Sequence, residues 1–173
     1  MAWRAASAGR SLDRRLVESA SLLHDIDKLG SVKPEIDGLP HGEGSADWLA
    51  RRGLAELGPV IVGHTVTRLA DAAWFERWIE TASPEALILA YADKRAGQRL
   101  EPMAARFRSW ERRHPPEERS GRARGGWTSE TLRAVWRRAE ALELRVCELA
   151  GVTPEEVCRL PWTGRALRAA RGD

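Results

Sequence analysis

Leu22-Leu23-His24-Asp25-Ile26-Asp27-Lys28 is the stretch on which the reading of this chain turns. An apolar run ends in a His-Asp pair, and a lysine follows three residues after Asp25. Three of the four histidines, His24, His41 and His64, fall in the region this pair opens, and Asp93 closes it at the end of a second apolar run. Imidazole and carboxylate together suit borderline or hard divalent metals such as iron, manganese, zinc, cobalt or nickel, with magnesium also compatible. Asp93 follows Leu89-Ala90-Tyr91-Ala92, where an unpaired carboxylate is costly to bury and a cation removes the cost. Singly, each residue has a blander reading. His-Asp pairs are common by chance, His64 beside Val60-Ile61-Val62 fits a satisfied core histidine, and Lys28 and Lys94 fit solvated charges. The ordered set carries the metal-site reading.

The pattern around this stretch is helical throughout. Leu12, Leu16, Ala20 and Leu23 recur at spacings of three and four, which predicts a helix from Ser11, as N-cap, to His24. Gly30, Pro34, Gly38, Pro40 and Gly42 make residues 26–42 a loop, with His41 near its end. Glu43 to Arg52 reads as a helix stopped by Gly53, and Gly58-Pro59 opens a short one reaching His64. Ala72 to Thr81 is a helix whose Trp74, Phe75 and Trp78 belong to the core. Ser83-Pro84-Glu85 combines an N-cap, a proline at the first helical position and an acidic first turn. The helix it starts is apolar on nearly every side before Asp93, which makes it central. Further helices follow from Glu101-Pro102 to Arg113, from Thr128 or Ser129 to Ala150 ahead of Gly151, and after Thr153. No strand period, repeat or glycine-rich phosphate loop appears. The expected fold is all-α: a helical domain over residues 1–113, a Pro- and Gly-rich linker over 114–127 and a C-terminal helical extension over 128–173.

Composition narrows the function classes. A chain of 173 residues, 43% apolar and 31% charged, is long enough for one globular core. No apolar run approaches the ~18 residues of a membrane span, and the first ten residues lack a secretory signal's apolar stretch, so a cytoplasmic protein is expected. Cys147 and Cys158 have no metal-ligand spacing and read as reduced core thiols. Residues 104–173 carry 15 basic and 10 acidic side chains against 13 and 15 before them. A basic tail can mark a phosphate-rich partner. Here the arginines are spread over helix faces among glutamates, and nucleic-acid binding is not expected. Only Lys28, Lys33 and Lys94 are lysines, against 25 arginines.

Four segments together resemble the HD superfamily of metal-dependent phosphohydrolases, nearest to its HDIG branch. Leu22–Lys28 is similar to the central motif and His41-Gly42-Glu43-Gly44-Ser45-Ala46 to the next histidine region. Val60-Ile61-Val62-Gly63-His64 is similar to the one after it, and Ala90-Tyr91-Ala92-Asp93-Lys94 to the terminal aspartate motif. The resemblance covers about residues 12–110. It implies an HD-like helical bundle that hydrolyses phosphoester bonds, commonly of nucleotides, through a dinuclear site whose ions are most often iron or manganese. His24, Asp25 and Asp93 are then expected to hold one ion, and His41 and His64 a second, with Asp25 bridging and catalytic. Lys28 is expected to neutralise charge on a phosphate oxygen, and Lys94 to help hold the substrate. Two departures accompany the match. Asp27 stands where the branch has glycine, and the family's upstream histidine has no counterpart before His24. Either that histidine lies upstream of Met1, or the first ion lacks a ligand. The alternative function is a catalytically silent HD domain that binds nucleotides or regulates.

Overall fold

The computed structural model describes residues 1–9, 11–96, 100–116 and 127–159. Its α-helices are α1 (Ala2–Ser7), α2 (Arg14–Leu23), α3 (Glu43–Ala50), α4 (Gly58–Ile61), α5 (Ala72–Thr81), α6 (Pro84–Arg95), α7 (Met103–Arg113), α8 (Ser129–Ala150) and α9 (Pro154–Val157). Among the described residues there is no strand, only an isolated bridge between Ala96 and Leu100. The chain is all-α. None of these helices is long and apolar enough to cross a membrane.

Helix α6 is the axis. The side chains of Leu87, Ile88 and Tyr91 join a large core cluster, while Leu89 joins a second one formed by Ala20, Leu49, Leu57, Val60 and Ile61. Its start follows the sequence signals: Ser83 accepts from the Ala86 N–H, Pro84 leads the helix, and Glu85 occupies the first turn. Because α6 is buried on both sides, its C-terminal end delivers Asp93 to the seam where α2, α3 and α4 meet.

The C-terminal helix differs from the expectation of an extension. Val135, Ala139, Leu142, Val146 and Cys147 of α8 are in the large cluster with Leu87, Tyr91, Phe75 and Phe107. A 22-residue amphipathic helix must cover its apolar stripe, and here the cover is α1, α6 and α7. One charged contact reinforces the join. Arg95 of α6, 1% exposed, pairs with Glu143 of α8 and donates to the Tyr91 hydroxyl and the Glu101 carbonyl. Arg95 Nη2 also lies 2.9 Å from Cys158 Sγ, so this cysteine is exposed against a guanidinium and not a core thiol. Cys147 is buried, and both thiols are free. The expected linker lies largely outside the described residues, as does the Arg-rich tail from Leu160.

Boundaries shift where a tertiary contact outbids local preference. Helix α2 is capped by Asp13, not Ser11, because the Asp13 carboxylate accepts from the Arg15 and Leu16 N–H groups and its own N–H donates to Glu85. Residues 2–7, without a clear sequence pattern, are helical and pack on α8. Helix α4 stops at Ile61, short of His64. A Cβ at Gly63 would stand 2.7 Å from the Trp78 indole nitrogen, so the chain leaves the helix pressed against α5.

Candidate metal centre

Each imidazole reaches the site from a different element and is fixed by its Nδ1. His24 caps the end of α2, with Nδ1 2.8 Å from the Ser21 carbonyl. His64 follows α4, with Nδ1 2.6 Å from the Ile61 carbonyl. His41 ends the loop after α2, and its Nδ1 stands 2.9 Å from both carboxylate oxygens of Asp27. Carbonyl and carboxylate oxygens only accept, so all three Nδ1 atoms carry the proton. In the neutral rings every Nε2 is then a bare lone pair.

Those lone pairs converge. His41, His64 and His24 place Nε2 at 3.3, 3.5 and 3.6 Å from one atom, Asp25 Oδ1. His41 and His64 bring their Nε2 atoms within 3.2 Å of each other, and His24 Nε2 is 3.7 Å from Asp93 Oδ1. Asp25 Oδ1 is itself buried without a hydrogen-bond partner. Acceptors face acceptors here, an arrangement that repels unless a cation or added protons stand among them. The donor set, imidazole nitrogens with carboxylate oxygens, is that of a borderline divalent metal. His24, Asp25, His41, His64 and Asp93 therefore fit a metal ion by geometry as well as by type.

The two carboxylates are held ionised. Burial alone raises the Asp25 carboxyl, but a His64 ring protonated at Nε2 and the Lys28 ammonium outweigh it and hold it well below the usual carboxylate range. Burial works the same way at Asp93, where contact with His24 and the charge of Lys94 win. The Asp93 carboxylate in turn raises His24 above its ordinary value, against the opposing effect of burial. His64 is 1% exposed, whereas Asp25 and His41 keep more than a third of their side chains open, so one side of the cluster faces solvent.

Asp27 is the residue whose part sequence reasoning missed. Its carboxylate accepts from the Gly42 N–H at 2.7 Å besides orienting His41, and its side chain is only 4% exposed. Burial pushes its pKa up, and Gly42 and His41 bring it below the ordinary value. A carboxylate behind a metal-facing histidine fixes tautomer and ring angle and raises ligand basicity. Ser45 was missed as well. It donates to the His24 carbonyl at 2.8 Å and accepts from the Asp27 N–H at 3.3 Å, tying α3 to the His-Asp turn. The available signal was an acid two residues after His-Asp in a loop that must be pinned to carry His41. Gly42 has φ +87°, a conformation that suits glycine, and it sets the turn that presents His41.

The two lysines part company. Lys28 lies on a 3₁₀ turn, Ile26–Lys28, and not on a continued helix. Its exposed ammonium stands 2.8 Å from Asp25 Oδ2. Lys94 turns inward, away from the solvent-facing side expected for a substrate-holding lysine. It is 6% exposed, its ammonium donates to the His64 carbonyl, and Asp93 Oδ2 is 3.8 Å away. Its stem is part of the α6 interior, so its charge serves the backbone that carries His64. Burial pulls its pKa down to about 8, with Asp93 opposing.

Beside His41 and Lys28 opens a cleft of about 520 Å³, walled also by Lys33, Ile36 and Leu39. No protein-family model, curated protein or solved structure matches this chain.

Proposed function

We propose that this chain is a metal-dependent phosphohydrolase acting on a phosphoester of a nucleotide or a related molecule. The observation that carries the reading is the convergence of three imidazole Nε2 atoms on the partnerless Oδ1 of Asp25. The order of the ligands along the chain, which resembles that of HD phosphohydrolases, supports the same reading. His24, Asp25, His41, His64 and Asp93 would hold the ion. When bound, a divalent ion lowers the pKa of water and draws charge from phosphoryl oxygens.

The remaining work falls to the protein. Asp27 and the Ser21 and Ile61 carbonyls keep the imidazoles in the tautomer that offers Nε2. The Lys28 ammonium has three donors and spends one on Asp25, so it can neutralise a phosphate oxygen without leaving its place. The open side of the cluster admits a phosphoester, and the adjoining cleft offers Lys33 to further anionic groups and the apolar faces of Ile36 and Leu39 to an organic moiety.

The full chain, loaded with Mn²⁺ or Fe²⁺ and screened against nucleotides, dinucleoside polyphosphates and cyclic dinucleotides, tests the proposal. Metal-dependent hydrolysis that is lost in Asp25→Ala is expected. Tight binding of metal and nucleotide without turnover points instead to the silent regulatory module. Wild type and Asp25→Ala alike without hydrolysis or binding would defeat both.

A further inference from the structure

We infer that the centre takes a single divalent ion, and that the Lys28 ammonium occupies the side of Asp25 at which a second ion would bind. This rests on the metal-centre reading above and deepens it. The two oxygens of each carboxylate face different partners. All three Nε2 atoms gather on Oδ1 of Asp25, while Oδ2 is taken by Lys28 at 2.8 Å. Asp93 repeats the division: Oδ1 faces His24 at 3.7 Å and Oδ2 faces Lys94 at 3.8 Å. Each carboxylate gives one oxygen to the imidazoles and the other to an ammonium.

A carboxylate that bridges two ions through its two oxygens needs both of them free. Two ions bridged in this way stand about 3.5–4 Å apart, one at each oxygen. The imidazoles here are not divided. Atoms about 2.1 Å from one common ion, at angles between about 90° and 110°, lie about 3.0–3.4 Å from each other. The separations of 3.2 Å between His41 and His64, and of 3.3 and 3.5 Å from those two to Asp25 Oδ1, match or nearly match that range. His24 Nε2, at 3.6 Å from the same oxygen, stands a little outside that range. His64 lies between the other two rings, with both centroid separations 4.9 Å.

Charge agrees with geometry. The centre holds three carboxylates, of Asp25, Asp27 and Asp93, and two ammonium groups, of Lys28 and Lys94. One divalent ion leaves a single formal positive charge to meet an anionic phosphoester, whereas two ions leave three. The structure thus assigns Lys28 a positioning part: it turns Asp25 so that a single oxygen enters the imidazole cluster, and its charge stands where a second ion's would.

Titration of the metal-free full chain with Mn²⁺, read by calorimetry and by electron paramagnetic resonance, tests this. The expected result is one ion per chain with an uncoupled six-line spectrum. His24→Ala and His41→Ala should each weaken that one isotherm at least tenfold, because both rings serve the same ion. Lys28→Met frees Oδ2 and should admit a second ion with an exchange-coupled spectrum, while Lys28→Arg keeps the count at one. Two ions in the wild type, with His24→Ala emptying one site and His41→Ala the other, would overturn the inference and leave the metal-centre reading intact. Lys28→Met that still binds one ion would remove the part given to Lys28. A wild type that binds no ion would instead defeat the metal-centre reading itself.

Discussion

Replacing Asp27 separates an orienting carboxylate from a merely structural one. In Asp27→Ala two things are lost at once. The Gly42 N–H, bonded to Asp27 at 2.7 Å, is left buried without an acceptor, which costs about 1–3 kcal/mol of stability. His41 loses the partner that holds its Nδ1 at 2.9 Å, so its ring and tautomer are no longer fixed. Loss of such a supporting group weakens metal binding by about 10–100-fold, or roughly 1.4–2.8 kcal/mol. Asp27→Asn keeps one acceptor oxygen, so it should fall near the lower end of that range. Calorimetric titration with Mn²⁺ reads the affinity, and thermal unfolding with and without the ion reads the stability. A bound ion stabilises by mass action, so the Mn²⁺-induced rise in Tm should shrink in both variants and most in Asp27→Ala. If Asp27→Ala binds Mn²⁺ as tightly as wild type while its Tm falls equally with and without the ion, Asp27 only pins the loop and the orienting argument fails.

Three further outcomes follow from contacts elsewhere. Gly42→Ala places a side chain at φ +87° and a Cβ 3.0 Å from Thr65 Cγ2 and 3.3 Å from His64 Cε1. About 1–3 kcal/mol of stability should be lost, with weakened metal binding, and a denaturation midpoint equal to wild type would contradict this. Glu143→Ala leaves Arg95 charged and buried without its carboxylate, and urea unfolding should show a loss of about 3–5 kcal/mol. A loss below ~1 kcal/mol would show that the Tyr91 and Glu101 contacts suffice. Metal affinity should fall with acid. Asp93 holds the His24 proton to a higher pH than usual, and that proton must leave for Nε2 to bind, whereas Asp25 and Asp93 stay ionised because their values are lowered. Binding should then weaken as the pH falls through the His24 value, by about tenfold or more per pH unit below it. Equal affinity at pH 8 and pH 6 would exclude His24 as a ligand.

The helices legible in the sequence were those with local punctuation. Ser83-Pro84-Glu85 and Thr128 before a run to Gly151 each mark an end by backbone chemistry that needs no partner, and Thr153 forms a capping box of the same kind. The five candidate ligands were legible as types in an order, and the fold brings all five to one place. What the sequence hid is non-local. Whether Ser11 or Asp13 caps α2 depends on Glu85, 72 positions after Asp13. That α8 is core and not an extension depends on where α6 lies, which periodicity cannot state. Lys94 looked like a charge beside a ligand, yet its ammonium turns inward to the His64 carbonyl. Asp27 departs from the expected glycine, and only the return of the loop to Gly42 shows why an acid is useful there.

The proposal stands or falls with His24, Asp25, His41, His64 and Asp93 together holding a divalent metal. The most direct test is the metal content of the full chain purified without chelators, measured by plasma mass spectrometry beside Asp25→Ala prepared in the same way. A bound first-row divalent ion is expected in the wild type and should be absent from Asp25→Ala, both proteins being equally helical by circular dichroism. A wild type free of metal even after incubation with Mn²⁺, Fe²⁺ and Zn²⁺, or an Asp25→Ala variant that retains the same ion, would contradict it.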